Sequence, residues 1–366
     1  MRAAVLREVG QPLTLEEVEL DDPGPGEVRV RIEAAGACHS DLHYMAGDLP
    51  AKLPLVVGHE GAGVVEALGP RTSGRVSVGD RVALQWRPRC GECPACVAGN
   101  PVLCRFGRVL AATNGLMDGT SRLHVGDETL HHLMGVSCFA EQVVVSETSV
   151  LAVPDAVPTE IAAISACAVI TGVGAVLNAV EHTSGRPLLV VGAGGVGLAA
   201  VMGAVLVGAY PVVVVDVDPA KLELATAVGA THVIDAREGD VVEQVLRLTD
   251  GVGVPWAVDA VGSPDTMRQA MAALAPEGTL VAVGLSRTDA TVAVPINDLV
   301  QRQKRVVGSL YGSSNPRLDL PRIFSLYSAG RLPLDRLVGA RRPLAEVNEA
   351  FADLRQGGVG RTVLVP

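Results

Sequence analysis

A glycine-rich turn between an apolar strand and a helical run limits what this chain can fold into more than any other feature. Val190-Val191-Gly192-Ala193-Gly194-Gly195-Val196-Gly197 carries the spacing Gly192-x-Gly194-x-x-Gly197. In that spacing Gly192 permits a tight turn, Gly194 lets backbone approach a pyrophosphate, and Gly197 permits close helix–strand packing. The following helix, opened by Gly195 and Val196, turns free N–H groups and the positive end of its dipole toward phosphate. Glycine-rich turns are common, so the context carries the reading: Leu188–Val191 is an unbroken apolar run and a helical pattern follows. A second apolar run, Val212–Val215, ends in Asp216. An acid there accepts hydrogen bonds from both adenosine ribose hydroxyls and repels a 2′-phosphate, which favours NAD over NADP.

The same alternation continues after the turn. Apolar runs at Val233–Ile234, Trp256–Asp259 and Thr279–Val283 are separated by helical patterns from Asp218, near Asp240–Leu248 and near Ser263–Leu274. Repeated βαβ units imply a doubly wound parallel sheet of the Rossmann type. The first 150 residues read differently, as short strands (Val28–Ile32, Ala62–Leu68, Arg81–Leu84, Glu141–Val145) punctuated by Gly and Pro. The expected organisation is a Rossmann domain over 166–305, inserted into a mostly β domain formed by 1–165 and 306–366.

Composition excludes several classes. With 366 residues, 48% hydrophobic and 19% charged, the chain can bury the cores of two domains and has no disordered bias. The net charge is −10 and the basic runs are as short as Lys304-Arg305 and Arg341-Arg342, so nucleic acid is not an expected partner. The N-terminus lacks a signal-peptide core, and Val196–Val207 is too short and too rich in glycine for a bilayer span of about 20 residues. A cytoplasmic protein without a membrane partner is expected.

In a reducing compartment clustered thiols point to metal or catalysis rather than disulfides. Four of the seven cysteines, Cys90, Cys93, Cys96 and Cys104, form C-x2-C-x2-C-x7-C within a Gly/Pro-rich lobe at about 88–106. Four thiolates so spaced close a tetrahedral structural zinc site. An iron–sulfur cluster is the rival for four cysteines, but the last spacing fits neither common ferredoxin run. Cys38, His59 and Cys167 are dispersed, and spacing alone does not select them. Their context is suggestive: Cys38-His39-Ser40-Asp41-Leu42-His43 gathers polar groups after a strand, and Gly58-His59-Glu60 precedes one. The remaining Cys138 reads as a buried apolar residue.

Taken in order, Cys38-His39-Ser40-Asp41, Gly58-His59-Glu60, the four-cysteine lobe and the Gly192 fingerprint resemble the zinc-dependent medium-chain alcohol dehydrogenases over essentially the whole chain. Gly115–Arg122, Met134–Ser137 and Gly360–Val363 look like the liver-type and glutathione-dependent formaldehyde dehydrogenase branch, whose members are commonly dimers. The resemblance implies a GroES-like catalytic domain, two Zn2+ per subunit, NAD and a homodimer. It implies that Cys38, His59 and Cys167 bind a catalytic zinc with an open position. Ser40 matches the hydroxyl that contacts the substrate oxygen and His43 the relay histidine. Asp41 and Glu60 match carboxylates behind the ligands, with Asp41 orienting His59. His39 and Arg361 match pyrophosphate contacts, Lys221 an adenosine-ribose contact, and Trp86 and Phe139 the substrate pocket. The implied reaction moves a hydride between a primary alcohol/aldehyde pair and NAD. Zinc favours the alkoxide, and the proton leaves through Ser40, the nicotinamide ribose and His43.

The loop Tyr44–Lys52 departs from the formaldehyde branch: it keeps one acid, Asp48, and replaces the others with apolar residues and a lysine. Arg108 matches one arginine of that branch. A simple alcohol or aldehyde is therefore the favoured substrate, with an S-hydroxymethyl thiol adduct as the alternative. Two other classes, a zinc-ribbon interaction module and a catalytically silent NAD-binding scaffold, are disfavoured by the complete fingerprint and by retention of all three dispersed ligands with Ser40 and His43.

Overall fold

The computed structural model describes residues 1–181 and 183–366. The chain divides into two compact units, one of Met1–Cys167, Asn315–Ala329 and Val338–Pro366, the other of Ala168–Ser314 and Gly330–Leu337. The second unit therefore extends past the expected boundary at 305. The reason is that Arg305–Gly308 is the last strand of its sheet, and the short turn Leu334–Leu337 also belongs to it.

That sheet has six parallel strands in the order His232–Asp235, Val212–Asp216, Leu188–Val191, Val254–Asp259, Leu274–Ala282, Arg305–Gly308. This is the 3-2-1-4-5-6 order of a doubly wound fold, which reverses direction beside its first strand. Leu188–Val191 is buried throughout, as a central parallel strand covered on both faces must be. Leu189, Val213, Ala257 and Leu280 lie in one apolar cluster with Val241 and Val245 of the helix Val241–Leu248.

The first unit is built on mostly antiparallel sheets, with parallel pairs where Val338–Pro343 meets Arg361–Val365 and Leu55–Val56 meets Glu128–His132. In the larger sheet, Glu27–Gly36 lies between Glu60–Leu68 and Arg361–Val365, with Gln142–Ser146 also paired to it. The strands Glu27–Gly36 and Glu60–Leu68 approach unusually closely, since a methyl carbon on Gly63 would lie 1.9 Å from the Arg31 carbonyl oxygen. Their pairing shifts register between Ile32 and Ala34. Such a bulge re-aims the residues that follow it.

The helical run Thr159–Ala179 carries the chain from one unit into the other. By length and composition it could cross a bilayer, yet 89% of its most apolar window is buried inside the protein, so it is a core helix. It is interrupted by a π-helical turn at Ser165–Val169. Turns of this kind insert an extra residue and occur often at functional sites. On the far side, a methyl carbon on Gly172 would lie 2.1 Å from the Val196 carbonyl oxygen, so the helices Ile170–Ala179 and Gly195–Leu206 pack backbone to backbone.

His132, in the strand Glu128–His132, is buried, and burial pushes its imidazole down to about 3. Its Nε2 accepts the Arg122 N–H at 3.3 Å. An unfolded histidine titrates near 6.5. The folded pKa is depressed, so the stability contributed by His132 is complete above about pH 6.5 and is lost as pH falls toward 3. The loss amounts to roughly 1.4 kcal/mol per pH unit inside that window. In urea melts at pH 7 and pH 5, His132→Asn should therefore lose about 2 kcal/mol less than the parent chain. Equal losses would mean that His132 does not govern the acid limb.

Candidate active site

Three strand ends of the antiparallel sheet bring one group of residues together. Glu27–Gly36 runs out into Ala37 and Cys38, Glu60–Leu68 begins directly after His59, and Arg361–Val365 begins at Arg361. Gly36 pairs with Glu60 and Val363 with Gly36, so the three ends lie side by side. Gly36 is required there: a methyl carbon on it would sit 2.3 Å from Glu60 Oε2. Cys167 is supplied by the π-helical turn.

The helix His39–Ala46 follows Cys38 for local reasons. Asp41, in its first turn, accepts the Cys38 N–H at 3.1 Å, and Gly47 ends it in the left-handed region at φ 79°. Asp41 has two further bonds, from the Gly58 N–H at 3.2 Å and from His59 Nδ1 at 3.0 Å. A fully buried carboxylate thus fixes both the helix start and the tautomer of His59, whose Nε2 is left as the acceptor.

The ligand-type atoms of Cys38, His59, Glu60 and Cys167 all lie within 4.8 Å of one another. His59 Nε2 is buried and has no hydrogen-bond partner among the described residues, and neither has Glu60 Oε2. A buried polar atom without a partner is costly. The Cys167 thiol bonded to it holds Cys38 well below the usual thiol range, while the same contact and burial push Cys167 up. Two sulfurs and an orphaned imidazole nitrogen are a donor set that zinc fits. Arg361 is buried beside them and donates from Nη2 to Glu60 Oε1 at 2.6 Å and to Cys38 Sγ at 3.5 Å. Burial pushes Glu60 up to about 8 against the pull of this guanidinium. The Glu60 carboxylate and the Cys38 sulfur hold Arg361 protonated despite its burial.

The residues around this centre take several positions. Ser40 Oγ is 3.7 Å from Cys38 Sγ, and His39 is exposed at the helix start. His43 Nδ1 meets Asp48 Oδ2 at 2.9 Å, a pair formed because the turn at Gly47 brings the Asp48 N–H onto the His43 carbonyl at 2.9 Å. Trp86 stands edge-on to His59 with ring centroids 6.3 Å apart. Phe139 was expected to line the substrate pocket, but its ring is fully enclosed, 5.9 Å from Phe351 and tight against the Gly58 backbone. It fills the core behind His59 because Gly58 leaves room for it. Cys138 is fully buried beside Gly61, as an apolar residue would be.

Cys90, Cys93, Cys96 and Cys104 also bring their sulfurs within 4.8 Å of one another. The Cys93 N–H donates to Cys90 Sγ at 3.3 Å and the Cys90 N–H to Cys104 Sγ at 3.4 Å. Backbone donors aimed at sulfur suit thiolates, and four of them close a tetrahedral site with no open position.

In the parallel-sheet unit Gly192 adopts φ 93°, and a methyl carbon on Gly197 would lie 1.7 Å from the Gly192 carbonyl oxygen. Gly194 caps the helix Gly195–Leu206 and has open space around it. Asp216 Oδ2 accepts the Ala193 N–H at 2.7 Å, and Oδ1 accepts those of Val217 and Asp218 at 2.8 and 3.0 Å. Asp216 therefore shapes the turn as well as ending its strand. Lys221 is half-buried in the helix Pro219–Ala227.

Residues 24–155 match the alcohol dehydrogenase GroES-like domain and residues 195–328 the zinc-binding dehydrogenase family. The chain is 41% identical to the putative alcohol dehydrogenase D of Mycobacterium tuberculosis over 99% of both chains. It belongs to the zinc-dependent medium-chain alcohol dehydrogenase family. It is also 38% identical to the NDMA-dependent alcohol dehydrogenase of Amycolatopsis methanolica, over 100% of this chain and 98% of that one. The crystal structure of benzyl alcohol dehydrogenase from Acinetobacter calcoaceticus superimposes with a TM-score of 0.93 at 34% identity, covering 100% of this chain and 98% of that one. For an NAD-dependent zinc alcohol dehydrogenase, two groups among the described residues could hold the metal, the four-cysteine lobe and the centre at His59. The π-helical turn, the Arg361–Glu60 contact and the His43–Asp48 pair are additions that sequence reasoning missed. Only the last had a local signal, a histidine in a helix's last turn followed by Gly47 and Asp48.

Proposed function

We propose that the protein interconverts a primary alcohol and its aldehyde with NAD, at a catalytic centre held by Cys38, His59 and Cys167. The observation that carries the reading is the buried His59 Nε2, without a partner and grouped with two cysteine sulfurs, while Nδ1 is fixed on Asp41. Bound there, zinc supplies a Lewis acid for the reacting oxygen. Ser40, beside Cys38, would take the hydroxyl proton while passing its own on through the nicotinamide ribose to the quarter-exposed His43, which releases it to solvent with its Nδ1 held by Asp48. Arg361, held by Glu60, balances the charge of the sulfurs. The four-cysteine lobe holds a second, structural zinc. The glycine turn and Asp216 receive NAD, with Lys221 beside the ribose, and the active form is a homodimer.

Asp216→Asn tests the cofactor part. A neutral amide has one acceptor oxygen where the carboxylate uses two, and it loses the repulsion of a 2′-phosphate. Discrimination against NADP, read as the ratio of kcat/KM values, should fall about tenfold or more, the effect of one charged hydrogen bond. An unchanged ratio removes Asp216 from cofactor choice.

The function itself is tested by NAD reduction with zinc-loaded protein, given primary alcohols alone or formaldehyde with and without a low-molecular-weight thiol. Turnover of alcohols alone supports the proposal. Turnover only with formaldehyde plus thiol replaces it with the thiol-adduct reaction.

A further inference from the structure

Asp48, the one acid that the loop Tyr44–Lys52 keeps, is engaged by a histidine. Its Oδ2 lies 2.9 Å from His43 Nδ1, with the two side chains 23% and 25% exposed. The backbone is shaped to make this contact. The helix His39–Ala46 closes on Gly47 at φ 79°, a left-handed conformation that favours glycine. The turn lays the N–H groups of Asp48 and Leu49 on the His43 carbonyl, at 2.9 and 3.3 Å. Backbone and side chain of Asp48 therefore close on the same residue. Val9 walls the turn from outside: a methyl carbon on Gly47 would lie 2.7 Å from Val9 Cγ1. The Gly10 N–H, donated to the Met45 carbonyl at 2.7 Å, ties the end of the helix to the first residues of the chain.

A carboxylate only accepts, so the contact keeps the proton of a neutral His43 ring on Nδ1 and leaves Nε2 as the acceptor. The helix does this at both of its ends, since Asp41 in its first turn holds His59 Nδ1 at 3.0 Å. Both rings are left with Nε2 as the working nitrogen, that of His59 for the proposed metal and that of His43 for the proposed relay.

Resting on that relay, we infer that Asp48 is a positioning residue for proton transfer, which fixes the His43 ring with Nδ1 protonated so that Nε2 takes the proton arriving from the alcohol. Water at the exposed edge of the ring then removes the Nε2 proton. The ring returns to the tautomer in which it began, and no electrons are exchanged. The acid of the loop serves proton release rather than a thiol carrier.

The test follows alcohol oxidation by zinc-loaded protein in Asp48→Ala, Asp48→Asn, His43→Gln and the double variant of Asp48→Ala with His43→Gln. Asp48→Ala should lower the single-turnover rate of NAD reduction about tenfold, the worth of one charged hydrogen bond. Affinity for the alcohol should stay within about twofold, because the contact acts on the chemical step. Asp48→Asn, whose amide oxygen still accepts from Nδ1, should recover part of the rate. Asp48→Ala added to His43→Gln should slow the reaction no further, since the ring it orients is gone. A contact that only closed the helix would slow both backgrounds equally. Nitrogen NMR of histidine-labelled protein gives a readout without turnover: the neutral His43 ring should carry its proton on Nδ1 in the parent and lose that preference in Asp48→Ala. A parent ring protonated on Nε2, or an Asp48→Ala effect that persists in full without His43, overturns the inference. If His43→Gln leaves the rate unchanged, the relay fails and this role with it. If His43→Gln slows the reaction and Asp48→Ala does not, the relay stands and only the role of Asp48 falls.

Discussion

Cys38→Ser should lower kcat by at least about a thousandfold, the scale of several kcal/mol of charge stabilisation supplied by a bound metal. The exchange alters one atom, and the reasons for so large an effect are geometric. Cys38 has partners on several sides: its sulfur meets Cys167, Arg361 and Ser40, and its N–H is held by Asp41. A serine hydroxyl keeps the backbone bond to Asp41, so the helix His39–Ala46 should still form. What is lost is the thiolate that soft-ligand zinc sites need. Elemental analysis gives a readout independent of turnover. Zinc should fall from two per chain to one, with the four-cysteine lobe still filled. Two zincs and normal turnover together would remove Cys38 from the ligand set.

The second large effect is one of stability. Arg361→Met should destabilise the fold by about 1–3 kcal/mol, because Glu60, which burial already pushes up to about 8, loses the charged hydrogen bond from the guanidinium and is left with an unsatisfied oxygen. Glu60 is fully buried and Arg361 is 4% exposed, so solvent cannot replace the missing partner. Glu60→Gln made on top of Arg361→Met should restore part of the loss, since the buried position then holds a group that cannot ionise. Urea midpoints of the parent, both single variants and the double variant close the cycle. If Arg361→Met stays as stable as the parent while its affinity for NAD falls, the residue acts on the pyrophosphate, as the family resemblance implies.

These two residues also mark where sequence reasoning stops. The glycine turn and the four-cysteine lobe were legible because each is a local pattern: the turn geometry and the spacing of sulfurs are fixed by neighbours a few positions apart. The centre at His59 was not legible in that way. Cys38, His59 and Cys167 meet through strand pairing and a helix more than a hundred residues away in sequence, and only resemblance to a family joined them. The Arg361–Glu60 contact spans 301 positions and follows from the register that sets Val363 opposite Gly36. The π-helical turn that delivers Cys167 has no signature in Ser165–Val169, whose residues suit an ordinary helix. The boundary at 305 missed its mark because Arg305–Gly308 is exposed, and an edge strand carries too little apolar pattern to be counted with the sheet it completes.

The places where backbone and side chains press on glycine have one more consequence, for anyone who wishes to make this enzyme tolerate heat. Replacing glycine by alanine is a standard route to hardening a protein, because it narrows the unfolded ensemble. At Gly36, Gly63, Gly107 and Gly197 the added carbon would fall 2.3, 1.9, 2.2 and 1.7 Å from another atom. At Gly63 and Gly197 the atom met is a backbone carbonyl oxygen, which cannot swing aside, whereas at Gly36 and Gly107 it is the end of the Glu60 or Arg87 side chain. Heat tolerance must therefore be engineered at positions other than Gly63 and Gly197, since there the empty volume is what lets two stretches of backbone touch.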